Sequence, residues 1–242
     1  MPRKLSFHCH HWSDSVASGT AVPSRPLISG IDQQAKERAS LAAGLFLGGN
    51  IHALFTLTSG MTIEQAAVLL RAPRIEWTRP QTWCDLGCGE GTFTVALASL
   101  LAPGSTIHAV DVDQRALEKV PERHGGVEIR TFLADINSHS LRLPNCDGIL
   151  MANSLHFIQE QGQLLSRLTA VSQRFLVVEY ERSRSSVWGP YPVNFQNLCD
   201  LFHEAGDYAV NQINLRKSRF GGTMYSALAE LNGKGKDSIA TH

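Results

Sequence analysis

Between Asp85 and Phe93 the chain reads Asp-Leu-Gly-Cys-Gly-Glu-Gly-Thr-Phe, and few folds accept such a run. The apolar stretch Trp83 to Leu86 predicts a strand that ends beside a carboxylate. Glycines at 87, 89 and 91 predict a tight turn, and the pattern from Thr92 to Leu101 predicts a helix that starts at once. Without Cβ atoms such a turn lets a ligand lie against the backbone, and the first N–H groups of the helix are free to donate to it.

Beyond Leu101 the chain keeps the same rhythm. Strands are expected over Thr106 to Val110, Val127 to Phe132, Gly148 to Ala152 and Phe175 to Tyr180. Helices are expected from Gln114 to Val120, around Leu164, Leu165, Leu168 and Val171, and from Phe195 to Ala205 with Gly206 as the stop. Strands alternating with helices require crossovers, hence an α/β fold with a doubly wound, mostly parallel sheet. The last two strand-like runs, Tyr208 to Leu215 and Gly222 to Ala229, have no room for a crossover helix between them and predict a C-terminal antiparallel hairpin. Thr62 and Gln65 are spaced as a capping box for a short helix that Pro73 stops, so the compact domain is expected over residues 61–230. Residues 1–60 read as an extension with one helix from Asp32 to Leu47, and 231–242 as a flexible tail.

Three carboxylates fall at expected strand ends. Asp85 precedes the glycine turn, Asp111 lies twenty residues past Gly91 at the end of the second strand, and Asp135 follows the third. A carboxylate at the tip of the strand beside a glycine turn can accept hydrogen bonds from both hydroxyls of a ribose. One strand further along, Asp135 can accept from the exocyclic amine of an adenine lying across the tips. Asp113 is a better helix cap than Asp111.

The series Asp85-x-Gly87-x-Gly89-x-Gly91, Asp111, Ala134-Asp135 and Asp147-Gly-Ile-Leu-Met-Ala-Asn153-Ser-Leu-His156 resembles the class I, Rossmann-like S-adenosylmethionine-dependent methyltransferases. The resemblance runs from Met61 to Glu230. It implies S-adenosyl-L-methionine as cofactor. The methionine part would lie on Asp85, Gly87, Cys88, Gly89 and Gly91, the ribose on Asp111 with Val112 beside it, and the adenine on Asp135 and Ile136. Asn153 and its neighbours would reach toward the methyl group. Enzymes of this kind that methylate base amines in DNA carry an Asn or Asp, two prolines and an aromatic residue after the fourth strand. Ala152-Asn153-Ser154-Leu155-His156 departs from that pattern and argues against that subclass; the Leu-His-Phe stretch is similar to what small-molecule methyltransferases carry there, though many protein-acting members share it, so a small molecule is expected before DNA while the substrate class stays open. For a neutral hydroxyl or amine acceptor, His156, Glu179 and Tyr180 are the candidate bases, His156 and Tyr180 foremost. Trp188 and Tyr191 are candidates for an aromatic wall of the pocket.

Rival readings are weaker. A nicotinamide-dependent oxidoreductase would place its third glycine three residues after the second, whereas Gly91 follows Gly89 by two. A protein that binds S-adenosylmethionine without turnover remains an alternative, because fold alone does not establish activity. Lys plus Arg and Asp plus Glu balance at 22 each, so net charge gives no support for a nucleic-acid partner. The apolar run Leu41 to Leu57 is broken by Gly48, Gly49, Asn50 and His52, short of the roughly 18 to 20 residues a membrane span needs. The five cysteines are expected to be reduced thiols of a cytoplasmic protein. The His8-Cys9-His10-His11 cluster is read as a tail and no metal site is expected, because adjacent ligands in an unstructured end cannot converge on one ion. Neither the acceptor nor the oligomeric state is specified by any motif.

Overall fold

The structure, a computed structural model, describes residues 61–217 and 222–232. In order along the chain these residues form α1 (Ile63–Leu70), β1 (Thr82–Leu86), α2 (Thr92–Ala98), β2 (Thr106–Asp111), α3 (Gln114–Leu117) and β3 (Arg123–His124). Then come β4 (Val127–Leu133), β5 (Gly148–Ala152), α4 (Gln161–Leu168), β6 (Arg174–Tyr180), α5 (Phe195–Ala205), β7 (Tyr208–Lys217) and β8 (Thr223–Leu231). The expected helix over 32–47, the His8–His11 cluster and the end of the tail lie outside the described residues.

All eight strands belong to one sheet in the order β3-β4-β2-β1-β5-β6-β8-β7. Strands β4, β2, β1, β5 and β6 are parallel, β8 runs antiparallel to β6, and β7 antiparallel to β8. The order reverses on either side of β1, so the loops after β1 and β5 part there and leave a crevice at the strands' C-terminal ends.

Both faces of the central strands are covered, which is why their sequences are apolar runs rather than alternations. Trp83, Ile107, Leu150, Leu176 and Val178 join the core of one face with Leu69, Leu70 and Leu97 of α1 and α2. Cys84, Leu86, Ile149, Met151, Phe175 and Val177 join the other with Leu164, Leu165 and Leu168 of α4 and Leu198 and Phe202 of α5. Residue 148 has to be glycine for packing reasons: a Cβ there would lie 2.4 Å from the Trp83 ring. The capping box at α1 forms as its spacing predicts, with Gln65 N donating to Thr62 Oγ1 and Thr62 N to Gln65 Oε1, both at 3.3 Å.

Among the differences from expectation are two early helix ends and one additional strand. The helix after the glycine turn stops at Ala98 rather than Leu101, where Ser99 Oγ donates to Val95 O at 2.9 Å and the chain tightens toward Pro103. Helix α3 stops at Leu117 rather than Val120, because the next residues close i to i+3 bonds ahead of Pro121, which disfavours helical backbone at the residue before it. Strand β3 is an element that the alternation of apolar runs does not predict. It forms because Gly125 and Gly126, at φ 58° and 83°, make a two-residue hairpin turn that folds His124 back onto Val127.

Candidate active site

The site is built at the C-terminal tips of β1, β2, β4, β5 and β6. After β1 the chain curls over β2: Gly87 N and Cys88 N both donate to Val110 O, at 2.8 and 3.1 Å, and Gly91 N closes the turn on Cys88 O at 3.0 Å. Gly89 N donates to Asp111 Oδ2 at 2.8 Å, and Asp113 N donates to Asp111 Oδ1 at 2.9 Å. Asp111 thus joins the glycine turn to its own loop. A carboxylate has about four acceptor positions, so both oxygens retain capacity for further donors. Asp113 caps α3 by accepting from Arg115 N and Ala116 N, which leaves Asp111 clear of capping.

Asp85 is buried, with Oδ2 accepting from Thr94 Oγ1 at 2.6 Å, and Oδ1 buried without a partner among the described residues. Burial raises its pKa to about 7; the Thr94 bond moderates the rise and the charge of Asp111 adds to it. The Cys88 thiol is likewise pushed up, by burial first and then by Asp85 and Asp111. It is a neutral packing group beneath the turn. Thr94 carries no signal in the sequence beyond a place on the first turn of a helix.

Next to β2, Ala134 N donates to Asp111 O at 2.9 Å and so brings the tip of β4 against that of β2. Asp135 is exposed; its Oδ1 accepts from Asn137 N at 2.8 Å, and Ile136 is buried beneath it. Val112, Phe132 and Leu133 are exposed near these tips.

On the other side of the crevice, β5 ends at Asn153, whose φ of 55° is the one positive value among the described non-glycine residues. Its N–H donates to Val178 O at 2.8 Å, and its Oδ1 and the Oγ of Ser154 are buried without partners among the described residues. Ser154 packs directly on Gly87. A single 3-10 turn, Leu155–Phe157, comes next.

Glu179, near the end of β6, organises that turn. Its Oε1 accepts from Leu155 N at 3.0 Å and His156 N at 3.2 Å, and its Oε2 contacts His156 Nδ1 at 2.6 Å. Both side chains are buried, and His156 Nε2 has no partner among the described residues. With a carboxylate at Nδ1 that nitrogen carries the hydrogen, so the neutral ring offers its lone pair at Nε2. From sequence Glu179 is a candidate base. In the structure its two oxygens meet the backbone of the turn and the ring of His156. The signal is a charged residue inside Phe-Leu-Val-Val-Glu-Tyr, but its partner cannot be read from it.

Tyr180 sits on the opposite face of β6, its ring 6.4 Å from that of His156 and edge-on. The loop after β6 folds over the turn: Tyr191 N donates to His156 O at 3.0 Å, and Gln161 Nε2 donates to both Leu155 O and Tyr191 O. Gly189 lies against the imidazole, where a Cβ would come within 3.4 Å of Cδ2. Val187 and Trp188 are exposed on the same loop. Tyr191 directs its hydroxyl to Gln159 Oε1 at 3.2 Å and its backbone to the turn. Among the described residues no group of three metal-ligating side chains occurs, and no helix is long and apolar enough to cross a membrane.

Comparison with known proteins fits this geometry. Residues 84–174 match the family model described as a methyltransferase domain. An uncharacterized methyltransferase of Mycobacterium tuberculosis is 32% identical over 84 residues, which is 35% of this chain and 41% of that protein. The chain therefore aligns with less than half the length of such curated relatives. Among solved structures, the plantazolicin methyltransferase BpumL, in complex with a monoazolic desmethylPZN analog and S-adenosylhomocysteine, superposes with a TM-score of 0.58 at 14% identity, covering 84% of this chain and 99% of that one. The N-terminal domain of EvdMO1 with S-adenosylhomocysteine bound superposes with a TM-score of 0.55 at 18% identity, covering 81% and 97%. At such identities the likeness is one of fold.

Proposed function

We propose that this chain, which carries a class I S-adenosylmethionine-dependent methyltransferase domain, transfers the methyl group of S-adenosyl-L-methionine to a small acceptor bearing a neutral hydroxyl or amine, with His156 as the base. The buried His156–Glu179 pair carries this reading.

The residues present fit the cofactor. Asp85 Oδ1 and Asn153 Oδ1, both buried without partners among the described residues, flank the glycine turn and suit the ammonium and sulfonium end. Asp111 suits the ribose hydroxyls. Val112 and Ile136 suit the faces of an adenine and Asp135 its amine. Gly87, Cys88, Gly89 and Gly91 form the floor. When bound, S-adenosylmethionine supplies an electrophilic methyl group that needs no further activation.

The chain's own contribution is then positional and protolytic. Ser154 against Gly87 holds the β5 turn on the glycine turn, so an acceptor beside His156 sits close to the cofactor end of the crevice. His156 Nε2 accepts the acceptor's proton while Glu179, bound at Nδ1, stabilises the charge that develops on the ring. Tyr180 is a second residue within reach of that space, with its ring edge-on to the imidazole. Exposed Trp188 on the covering loop supplies an apolar surface for the acceptor.

A small acceptor rather than DNA is supported by Ala152-Asn153-Ser154-Leu155-His156, which lacks the paired prolines of base-amine methyltransferases. A cytoplasmic setting belongs to the same proposal and is supported by the free thiols of Cys84, Cys88, Cys146 and Cys199. The test is a methyl-transfer screen with labelled S-adenosylmethionine over hydroxyl, amine and thiol metabolites alongside duplex and single-stranded DNA. Transfer to DNA alone would overturn the acceptor assignment. Binding of S-adenosylhomocysteine without transfer to any acceptor would turn the reading toward a non-catalytic binder.

A further inference from the structure

Arg167 lies on α4, away from the crevice, yet its guanidinium is committed to the loop that leaves β4. Nη2 donates to Ile136 O at 3.4 Å and Asn137 O at 3.2 Å, and Nη1 donates to Ser138 O at 3.1 Å. Arginine forks usually face carboxylates or phosphates. This one instead collects the carbonyls of three consecutive residues, while its Nε is buried without a partner among the described residues.

Those carbonyls belong to one compact turn. Ser138 N donates to Asp135 O at 3.0 Å and Asn137 N to Asp135 Oδ1 at 2.8 Å. The N–H groups of Asn137 and Ser138 are thus satisfied within the turn, and its carbonyls are satisfied by Arg167. Helix α4 is itself fixed, because Leu164, Leu165 and Leu168 are buried against the sheet. The guanidinium therefore ties an exposed loop carboxylate to the core through a rigid helix. Without it, Asp135 would be held by its own turn, by the Leu141–Ser138 and Ala134–Asp111 backbone bonds and by the buried Ile136 side chain.

We propose that Arg167 is a positioning residue for adenine recognition: by clamping the carbonyls of 136–138 it fixes the 135–138 turn so that Asp135 meets the exocyclic amine of the cofactor. This rests on the reading of Asp135 and Ile136 as adenine contacts. Arg167 touches no reacting atom. Its effect is on which base the site accepts.

The experiment compares two ligands on the full chain by calorimetry: S-adenosylhomocysteine, and its inosine counterpart, in which the 6-amino group is replaced by a carbonyl. The parent protein is expected to bind the adenosyl form about tenfold more tightly or better, since a carboxylate facing a carbonyl loses its donor. Arg167→Met, which keeps much of the apolar stem, is expected to narrow that ratio to about twofold or less. Arg167→Lys, able to reach one carbonyl, should give an intermediate ratio and serves in its place should the Met variant not fold. Equal weakening of both ligands with the ratio intact overturns the proposal, since it marks a general structural role. A parent protein that does not distinguish the two ligands removes the adenine reading of Asp135 itself, and the role of Arg167 with it.

Discussion

Gly87 and Ser154 are packed so closely that a Cβ at position 87 would lie 2.5 Å from the Cβ of Ser154. One residue belongs to the turn after β1 and the other to the turn after β5, on the two sides of the point where the strand order reverses. Their contact holds the two sides of the crevice against each other.

Gly87→Ala is accordingly expected to destabilise the protein by roughly 1–3 kcal/mol, from the steric overlap together with a φ of +76°. Ser154→Gly in that background removes the overlap and not the backbone strain, so part of the loss returns. Urea denaturation of the four proteins in the cycle measures this. Strict additivity of the two changes would show that the turns do not press on each other.

His156→Gln removes the basic nitrogen at similar size and is expected to lower turnover by about 100-fold or more while leaving S-adenosylhomocysteine affinity intact. Glu179→Gln places an amide donor or a weaker acceptor at Nδ1 and disturbs the tautomer that leaves Nε2 free, so turnover falls here too. Because the two act as a unit, the double variant should be little worse than His156→Gln alone. Steady-state kinetics with an identified acceptor decides it, and turnover of His156→Gln within a few-fold of the parent would leave proximity as the source of rate.

Asp111→Ala is expected to weaken S-adenosylhomocysteine binding by at least about tenfold, since a hydrogen bond to a charged group contributes about 1.5–3 kcal/mol. The same change frees Gly89 N from its acceptor, so the glycine turn loses its tie to β2 and amide exchange of Gly89 should rise. Unchanged affinity in a folded variant would take Asp111 out of the ribose site.

Asp85 links stability to pH. Raised to about 7 by burial, its carboxyl holds a proton more tightly in the native chain than in the unfolded one, where aspartate titrates near about 3.9. Between those values the native state carries more bound protons. This group's contribution is therefore fully present below about pH 4, is lost as pH rises through about 7, and is level above that. The fall is on the order of a few kcal/mol. Denaturation midpoints from pH 4.5 to 8 should show a downward slope in the parent that is absent in Asp85→Asn. Parallel profiles for the two proteins would mean that Asp85 is ionised throughout.

The glycine turn, the parallel strands and the three strand-tip acids are legible in the sequence because each is decided locally. Glycine at 87, 89 and 91 meets backbone angles that other residues resist, an apolar run covered on both faces reads as a strand without knowledge of its neighbours, and Thr62 with Gln65 caps a helix within one turn. Even β3 has its local mark in Gly125-Gly126. The features that are not legible depend on partners distant in the chain. Glu179 lies 23 positions from His156, and only the parallel register that sets Ala152 opposite Val178 brings carboxylate and imidazole together. Arg167 reads as an ordinary polar position on a helix until α4 docks beside the loop after β4. The high pKa of Asp85 has the same origin: its residue type and spacing mark the turn, but the removal of water that holds its proton is a property of the assembled core.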